Sequence, residues 1–552
     1  MPTGKSYSLP LEKFYHWEKQ ASDRVFLRQP FPGKGYTDIT FAEAGRQVRA
    51  IAAALEAKKL PSGSHVAILS KNCAHWIMAD LAIWMAGHVS IPLYPNLAEA
   101  TVRQILVHSD CKLAFIGKLD DLAAYVRGIP AGMPGIAFPY HEVANVPKWD
   151  DLIASVAPMK ESPTRSMGEL ATIIYTSGTT GEPKGVMHPF SSFAVSGTEI
   201  LETVALTQGD RFFSYLPLAH VAERLLIETC ALYAGASIAF AESLDTFQKN
   251  LQTIQPTIFL SVPRLWQKFQ SGILAKLPQK KLSRLLKIPL VSWLIKRKLR
   301  SALGLSKARI VLTGAAPTPA PLIEWFGRIG IPIQEAYGMT ENFAYSHYNR
   351  VGAIEIGTVG QPWPLVRTRI AENEEIQIAT PCDFTGYYKS DTDRSEHFDG
   401  EFLKTGDRGH IGPHGHLKIT GRTKDIFKSS KGKYVAPSPI ETKFGAHPFF
   451  EAICVVGANL PSPMLLAVLH PEVKARPQAQ LVTELSACIQ AVNGTLDHHE
   501  QVSKLIAVKD PWTVENGLVT PSMKVKRPAI EAKYGERLSQ WSETGEIILW
   551  EG

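Results

Sequence analysis

The chain lacks paired cysteines. Its six, Cys73, Cys111, Cys230, Cys382, Cys454 and Cys488, stand far apart, and no two form a CxxC pair. Scattered cysteines in a chain of 552 residues read as reduced core residues, which excludes a disulfide framework. Long hydrophobic runs are also missing. No stretch reaches the ~18 uninterrupted apolar residues that a membrane span needs. The first residues, "MPTGKSYSLPLEKFYHWEKQ", hold no apolar signal core. The expected location is therefore cytoplasmic. There is no internal repeat and no low-complexity tract. One segment has no acid at all: between Asp245 and Glu324 stand fourteen Lys or Arg and not one Asp or Glu.

What is present points to a globular protein of several domains or subdomains. Apolar residues make up 45% and charged residues 20%, which excludes a disordered chain. The length exceeds what one compact core can hold. The net charge of +7 suits anionic ligands but is too small, on this length, to argue for nucleic acid.

The first third alternates helix and strand. Thr40 and Glu43 have capping-box spacing, followed at helical intervals by Ala44, Val48, Ile51 and Leu55. "HVAIL" reads as a strand, "CAHWIMADLAIWMAG" as a buried helix and "VSIPLYP" as a strand. This order predicts a parallel sheet covered by helices, and "KLAFIG", "ATIIYTSG", "PTIFLSVP" and "ARIVLTGAAP" continue it. Several strands run straight into Gly, Ser or Pro loops, where open α/β sheets carry ligand sites. From about Val366 the texture is β-rich, with "EIQIAT", "EFLKTGD" and "HLKITGR". Beyond Gly421–Asp425 comes a smaller unit of mixed α and β type. The expected division is residues 1–421 and a mobile part, 422–552.

"YTSGTTGEPKGVMH", Tyr175 to His188, crowds Gly, Thr and Ser directly after an apolar strand. Such a loop can wrap backbone N–H groups around an anion. It is not a P-loop, because the G-x-x-x-x-G-K-[ST] spacing fails. "YTSGTTGEPKG" resembles instead the phosphate loop of the acyl-adenylate-forming, or AMP-binding, superfamily. "AYGMTEN" resembles that family's adenine and magnesium segment, and "KTGDRG" its ribose segment. "GRTKDIFKSSKGKYVAP" is similar to its hinge and the following loop, and "NGLVTPSMKVKRP" to its C-terminal lysine segment. "LPLAHVAER", "KGKYVAP" and "LVTPSMKVKR" look most like long-chain fatty acyl-CoA synthetases.

The resemblance implies an α/β fold with a large N-terminal domain of several subdomains and a small α+β C-terminal domain. It implies ATP, Mg2+ and CoA as cosubstrates, and a reaction in two halves. A carboxylate expels pyrophosphate from ATP, and a thiol then attacks the acyl-adenylate. It places Thr176, Ser177, Gly178, Thr179, Thr180, Gly181 and Lys184 on the phosphates. Tyr337, with Gly338, Met339 and Thr340, would face adenine, where Gly314, Ala315 and Ala316 leave room for a flat base. Asp407 would accept the ribose hydroxyls. Arg422 would assist it or form a salt bridge at the domain junction. Glu341 is the candidate magnesium ligand, as a hard cation prefers carboxylate oxygen.

Lys524 would bridge the carboxylate and the α-phosphate. His220 would lie near the acyl carboxylate or be structural. Trp266 would gate the acyl tunnel or fill the core. Lys424 is the expected hinge, and Lys431, Gly432 and Lys433 belong to a CoA loop. His410, His414 and His416 mark a polar turn rather than zinc ligands. Within 246–323, "KIPLVSWLIKRKLRSALG" reads either as a solvated helix hairpin or as a contact for an anionic membrane face or acyl-CoA phosphates. The expected activity is ligation of a medium- to long-chain fatty acid to CoA. The alternatives are an aryl or short-chain carboxylate ligase, an acyl-AMP ligase that loads a carrier protein, and an inactive lipid-binding scaffold.

Overall fold

The computed structural model describes residues 5–177 and 183–551. Two large sheets organise the N-terminal domain. In chain-crossing order, one joins Gly386–Tyr387, Pro183–Pro189, Leu170–Ser177, Val89–Leu93, His65–Leu69, Leu113–Ile116 and Gly135–Ala137. The strands from Val89–Leu93 outward are parallel, as the β-α-β order predicts. The second sheet has nine strands, with Arg211–Ser214, Ile258–Ser261, Ile310–Thr313 and Gln334–Tyr337 running parallel in its middle.

The helix Ala74–Met85 lies between these sheets. It contacts His65–Leu69 and Val89–Leu93 of one and Val25–Phe31 of the other. All of its residues are buried, which explains an almost wholly apolar sequence with no polar face. Asp80 is its one charge. It pairs with the buried guanidinium of Arg224, which also meets Glu228 Oε2 at 3.3 Å and donates to Thr172 Oγ1 at 2.8 Å. Burial and the neighbouring Asp80 raise the Glu228 carboxyl well above its ordinary range, so this cluster holds one proton in place of a second negative charge. The segment Arg224–Thr229 is wound as a π-helix, which no sequence signal announced.

The helix Phe41–Glu56 begins as its spacing predicts, but with half of the expected cap. Thr40 Oγ1 accepts from the Glu43 amide at 3.2 Å. The Glu43 carboxylate turns to Arg46 and Gln47 instead of reaching back. A five-stranded β-rich layer follows, in which Phe402–Ile411 pairs with Glu375–Ala379 and with Leu417–Arg422.

The smaller C-terminal domain has a four-stranded mixed sheet, Phe450–Val456, Met464–Leu469, Lys504–Ala507 and Ile548–Trp550. Helices Pro437–Gly445, Gln478–Asn493 and Arg527–Glu543 cover it. Its two apolar clusters draw only on residues from Phe427 onward. The N-terminal clusters take none of these. Hydrogen bonds across the junction include Asn96 Nδ2 to the Pro521 carbonyl at 3.1 Å and Gln267 Nε2 to the Gly445 carbonyl.

Candidate active site

The site forms where strand ends from both large sheets meet the edge of the C-terminal domain. Strand Leu170–Ser177 returns antiparallel as Pro183–Pro189, with Thr176 opposite Lys184. Gly178, Thr179, Thr180 and Gly181 of the expected phosphate loop lie outside the described residues. The Lys184 ammonium stands 5.3 Å from the Tyr387 ring centroid. The Tyr387 hydroxyl donates to Glu341 Oε1 at 2.8 Å. Lys184 and Glu341 are thus joined through one tyrosine, and among the described residues Glu341 Oε2 accepts no hydrogen bond.

The Glu341 turn is held from below. His188 is fully buried, and burial pushes its imidazole down to about 3, so it is neutral. Its Nε2 donates to the Thr340 carbonyl at 2.7 Å, which fixes the tautomer. Gly338 is required by packing, because a Cβ there would lie 2.6 Å from the Ala344 backbone. Met339 N donates to Asn342 Oδ1 at 2.9 Å and closes the turn over Glu341.

Asp407 is nearly buried and already has two donors. Tyr337 Oη reaches Oδ2 at 2.6 Å, and Arg422 Nε reaches Oδ1 at 3.0 Å. Each carboxylate oxygen accepts two hydrogen bonds, so among the described residues one position on each stays open, a geometry that suits a diol. Arg422 thus forms the expected salt bridge at the domain junction, and that bridge orients the Asp407 carboxylate. Tyr337 is tied through its hydroxyl, which fixes its ring. Gly314 is buried at the end of strand Ile310–Thr313, where an added Cβ would meet the Ala336 carbonyl at 3.0 Å. Ala315 takes a left-handed φ of 64°, and both Ala315 and Ala316 are exposed at the strand end.

Lys524 comes from a turn in the C-terminal domain. Its amide donates to Thr520 Oγ1 at 3.0 Å, its carbonyl accepts from the Thr520 amide at 2.7 Å, and Met523 supplies the positive φ of 63°. The side chain is open to solvent yet crowded by the walls of the inter-domain cleft. That crowding lowers its pKa, and Arg422 lowers it further, while Asp407 and Glu341 act the other way. His220 faces the same ammonium. Burial first, and then the charge of Lys524, push its imidazole down to about 3. Its Nδ1 accepts from the Ala222 amide at 3.2 Å, so the ring proton sits on Nε2. The neutral ring is a hydrogen-bond donor at neutral pH.

Residues more than 300 positions apart in the sequence, such as His220 and Lys524, thus stand around one cleft. The AMP-binding enzyme family matches residues 14–388, and the AMP-binding enzyme C-terminal domain matches 424–544. The chain belongs to the AMP-binding enzymes. It is 29% identical to the long-chain-fatty-acid–CoA ligase FadD15 of Mycobacterium bovis, over 94% of each chain. It is 28% identical to long chain acyl-CoA synthetase 2 of Arabidopsis thaliana, over 90% of this chain and 86% of that one. Among solved structures, its fold is similar to the adenylation domain of a carboxylate reductase from Mycobacterium chelonae, with a TM-score of 0.83 at 23% identity, over 98% and 92% of the two chains. It is also similar to the anthranilate CoA ligase AuaEII in complex with anthranoyl-AMP, with a TM-score of 0.78 at 19% identity, over 96% and 97%.

Two of the AMP-binding enzyme's expected site groups stand apart from the cleft's polar cluster. Trp266 is wholly buried, edge-on to Phe259, Phe269 and Phe326, and its Nε1 has no hydrogen-bond partner among the described residues. Lys431, Gly432 and Lys433 form the exposed tip between Phe427–Lys428 and Tyr434–Val435. Gly432 has φ 77° there, and the Ser429 amide donates to the Lys433 carbonyl at 2.8 Å. His188 and Tyr387 belong to the site in addition to the residues that the motifs imply. His188 closes the "KGVMH" motif, which is a usable signal. Tyr387 lies 46 residues from Glu341 in a short edge strand and carries none.

Proposed function

We propose that this AMP-binding enzyme activates a medium- to long-chain fatty acid with ATP and transfers the acyl group to CoA, releasing AMP and pyrophosphate. The observation that carries the reading is the convergence of Lys524, His220, Asp407 and Glu341 on one cleft. In the first half-reaction a carboxylate approaches a polyanion, so positive charge must stand between them. Lys524 supplies it, and His220 Nε2–H donates to the carboxylate. Asp407 takes the ribose hydroxyls on its two open acceptor positions, and Tyr337 presents its fixed ring to the adenine. Thr176, Ser177, Gly178, Thr179, Thr180, Gly181 and Lys184 hold the β- and γ-phosphates. The Glu341 carboxylate fits a magnesium ion brought with ATP, having one oxygen fixed by Tyr387 and the other without a hydrogen bond among the described residues. That ion neutralises phosphate charge.

The second half-reaction needs the cleft to admit a thiol. The division at 421/422 is the pivot in this reading, with Lys424 as the hinge. The C-terminal domain turns, withdraws Lys524 and brings Lys431, Gly432 and Lys433 to the CoA phosphates. Separate apolar clusters on the two sides support such a motion. The long-chain names of the relatives support a fatty substrate, and in this reading Trp266 gates its tunnel. The same reading includes peripheral contact with a membrane through residues 246–323. Among the described residues no helix is long and apolar enough to cross one.

The test is pyrophosphate release over a panel of fatty and aromatic acids, with CoA or a phosphopantetheinylated carrier as acceptor. Release that rises with aliphatic length, and turnover with CoA, are the expected results. Release with aromatic acids alone, or turnover with the carrier alone, would move the assignment to another branch. Silence with every acid would make the protein a scaffold.

A further inference from the structure

The helix Pro289–Ala302 has two apolar faces. One is accounted for: Ser292 is buried, and Ile295 and Leu299 pack against the cluster that holds Trp266 and Phe326. The other is not. Leu290, Trp293 and Leu294 are 79%, 58% and 57% exposed, and Ile288 just before them is 52% exposed. Positions 290, 293, 294 and 297 follow the i, i+3, i+4, i+7 rule and form one stripe. Arg297 continues it, with its guanidinium 5.5 Å from the Trp293 ring centroid.

Isolated exposed leucines need no explanation, but three large apolar side chains on one stripe, with Ile288 exposed just before it, do. Their setting identifies the occupant. No acidic residue lies between Asp245 and Glu324, and the cations of this segment include Lys280, Lys281 and Arg284 on the preceding helix Gln279–Leu285. Between the two helices and Ala320–Arg328 runs a groove of about 420 Å³. Its apolar floor includes Leu286 and Trp325, and Lys287, Lys296 and Arg328 stand around it. Arg328 meets Glu324 Oε2 at 3.4 Å in an exposed pair that solvent screens. A second copy of this chain would bring the same cations against themselves. A surface that is apolar below and anionic above matches both features.

We propose that this helix pair docks on an anionic phospholipid membrane. Ile288, Leu290, Trp293 and Leu294 enter the acyl boundary, and Lys287, Lys296, Arg297 and Arg328 meet lipid phosphates. The helix lies in the plane of the interface, as its length and charged flank require. The docked helix is packed directly on the Trp266 cluster, so the proposed tunnel gate is one layer from the bilayer. This rests on the surface-contact reading above and not on the chemistry of Lys524.

The experiment is co-sedimentation of the full chain with phosphatidylcholine vesicles, with and without phosphatidylglycerol. The protein should partition onto the anionic vesicles, and salt at about 0.5 M should weaken this. The double variant Leu290→Ser, Trp293→Ser should lose about tenfold in partitioning, while Trp293→Phe keeps it. Arg297→Glu with Lys287→Glu should lose binding to anionic vesicles. Pyrophosphate release with hexanoate, a soluble acid, should be unchanged in all of them, which separates failed docking from a failed active site. Equal binding of wild type and the double variant would overturn the proposal. So would binding without preference for anionic lipid, or a dimer in free solution that the double variant dissociates.

Discussion

Lys424→Pro tests the proposed domain rotation at a single backbone position. Thr423–Asp425 is one turn of 3-10 helix between the β-rich layer and the C-terminal domain. A 3-10 residue has φ near the −65° that proline imposes, so the ring fits the arrangement in which Lys524 faces the cleft. The remaining cost here is the restriction of Thr423, which proline pushes away from the helical region. Acyl-adenylate formation should therefore stay within about threefold of wild type. A rotated arrangement needs different dihedrals at this residue. Imposing the wrong φ or removing a needed N–H costs about 3 kcal/mol, or roughly a hundredfold in population. Thioester formation should fall by that factor. Lys424 is exposed, so Lys424→Ala, the control for lost charge, should be mild in both steps. The assays are pyrophosphate release and acyl-CoA formation, measured separately. A folded proline variant that makes acyl-CoA at the wild-type rate would refute the hinge.

Lys524→Ala should cut adenylate formation by about 100-fold or more, the scale of a lost electrostatic stabiliser. Thioester formation from supplied acyl-adenylate should change little, and equal loss in both halves would remove the assigned role. Tyr387→Phe frees Glu341 Oε1 and should raise the KM for magnesium–ATP about tenfold, the scale of a hydrogen bond to a charged group. An unchanged magnesium titration would contradict it. His188 is held at about 3, below its ordinary 6.5, so between these values the unfolded chain binds the extra proton. Its contribution to stability is present above pH 6.5 and is lost as pH falls, at about 1.4 kcal/mol per pH unit. The stability difference between wild type and His188→Gln should thus shrink by about 2 kcal/mol from pH 6.5 to 5, read by denaturant unfolding. A constant difference would mean that His188 is not buried neutral. Trp266→Phe should alter chain-length preference more than the KM for ATP. An unchanged profile would leave Trp266 to the core.

Much of this protein was legible in the sequence because its signals are local. A strand buried on both faces must be apolar, so "HVAIL" and "ARIVLT" announce themselves, and the almost wholly apolar run of Ala74–Met85, with Asp80 its one charge, reads as an interior helix. Thr40 marks a helix start because its hydroxyl meets an amide three residues on. The motifs of the site are short for the same reason: a turn such as Gly338–Asn342 needs its glycine and its Asn at fixed spacing. Other features depend on distances that no local pattern encodes. Tyr387 reaches Glu341 because an edge strand pairs with Pro183–Pro189. The low pKa of His220 comes from its burial and from an ammonium 304 positions away in the sequence. The sequence showed that residues 246–323 carry no acid, but left open a solvated hairpin or a docking face. Only the packing of Ile295 and Leu299 inward revealed a second apolar face turned out to solvent, because a helix cannot bury both sides of itself against one core.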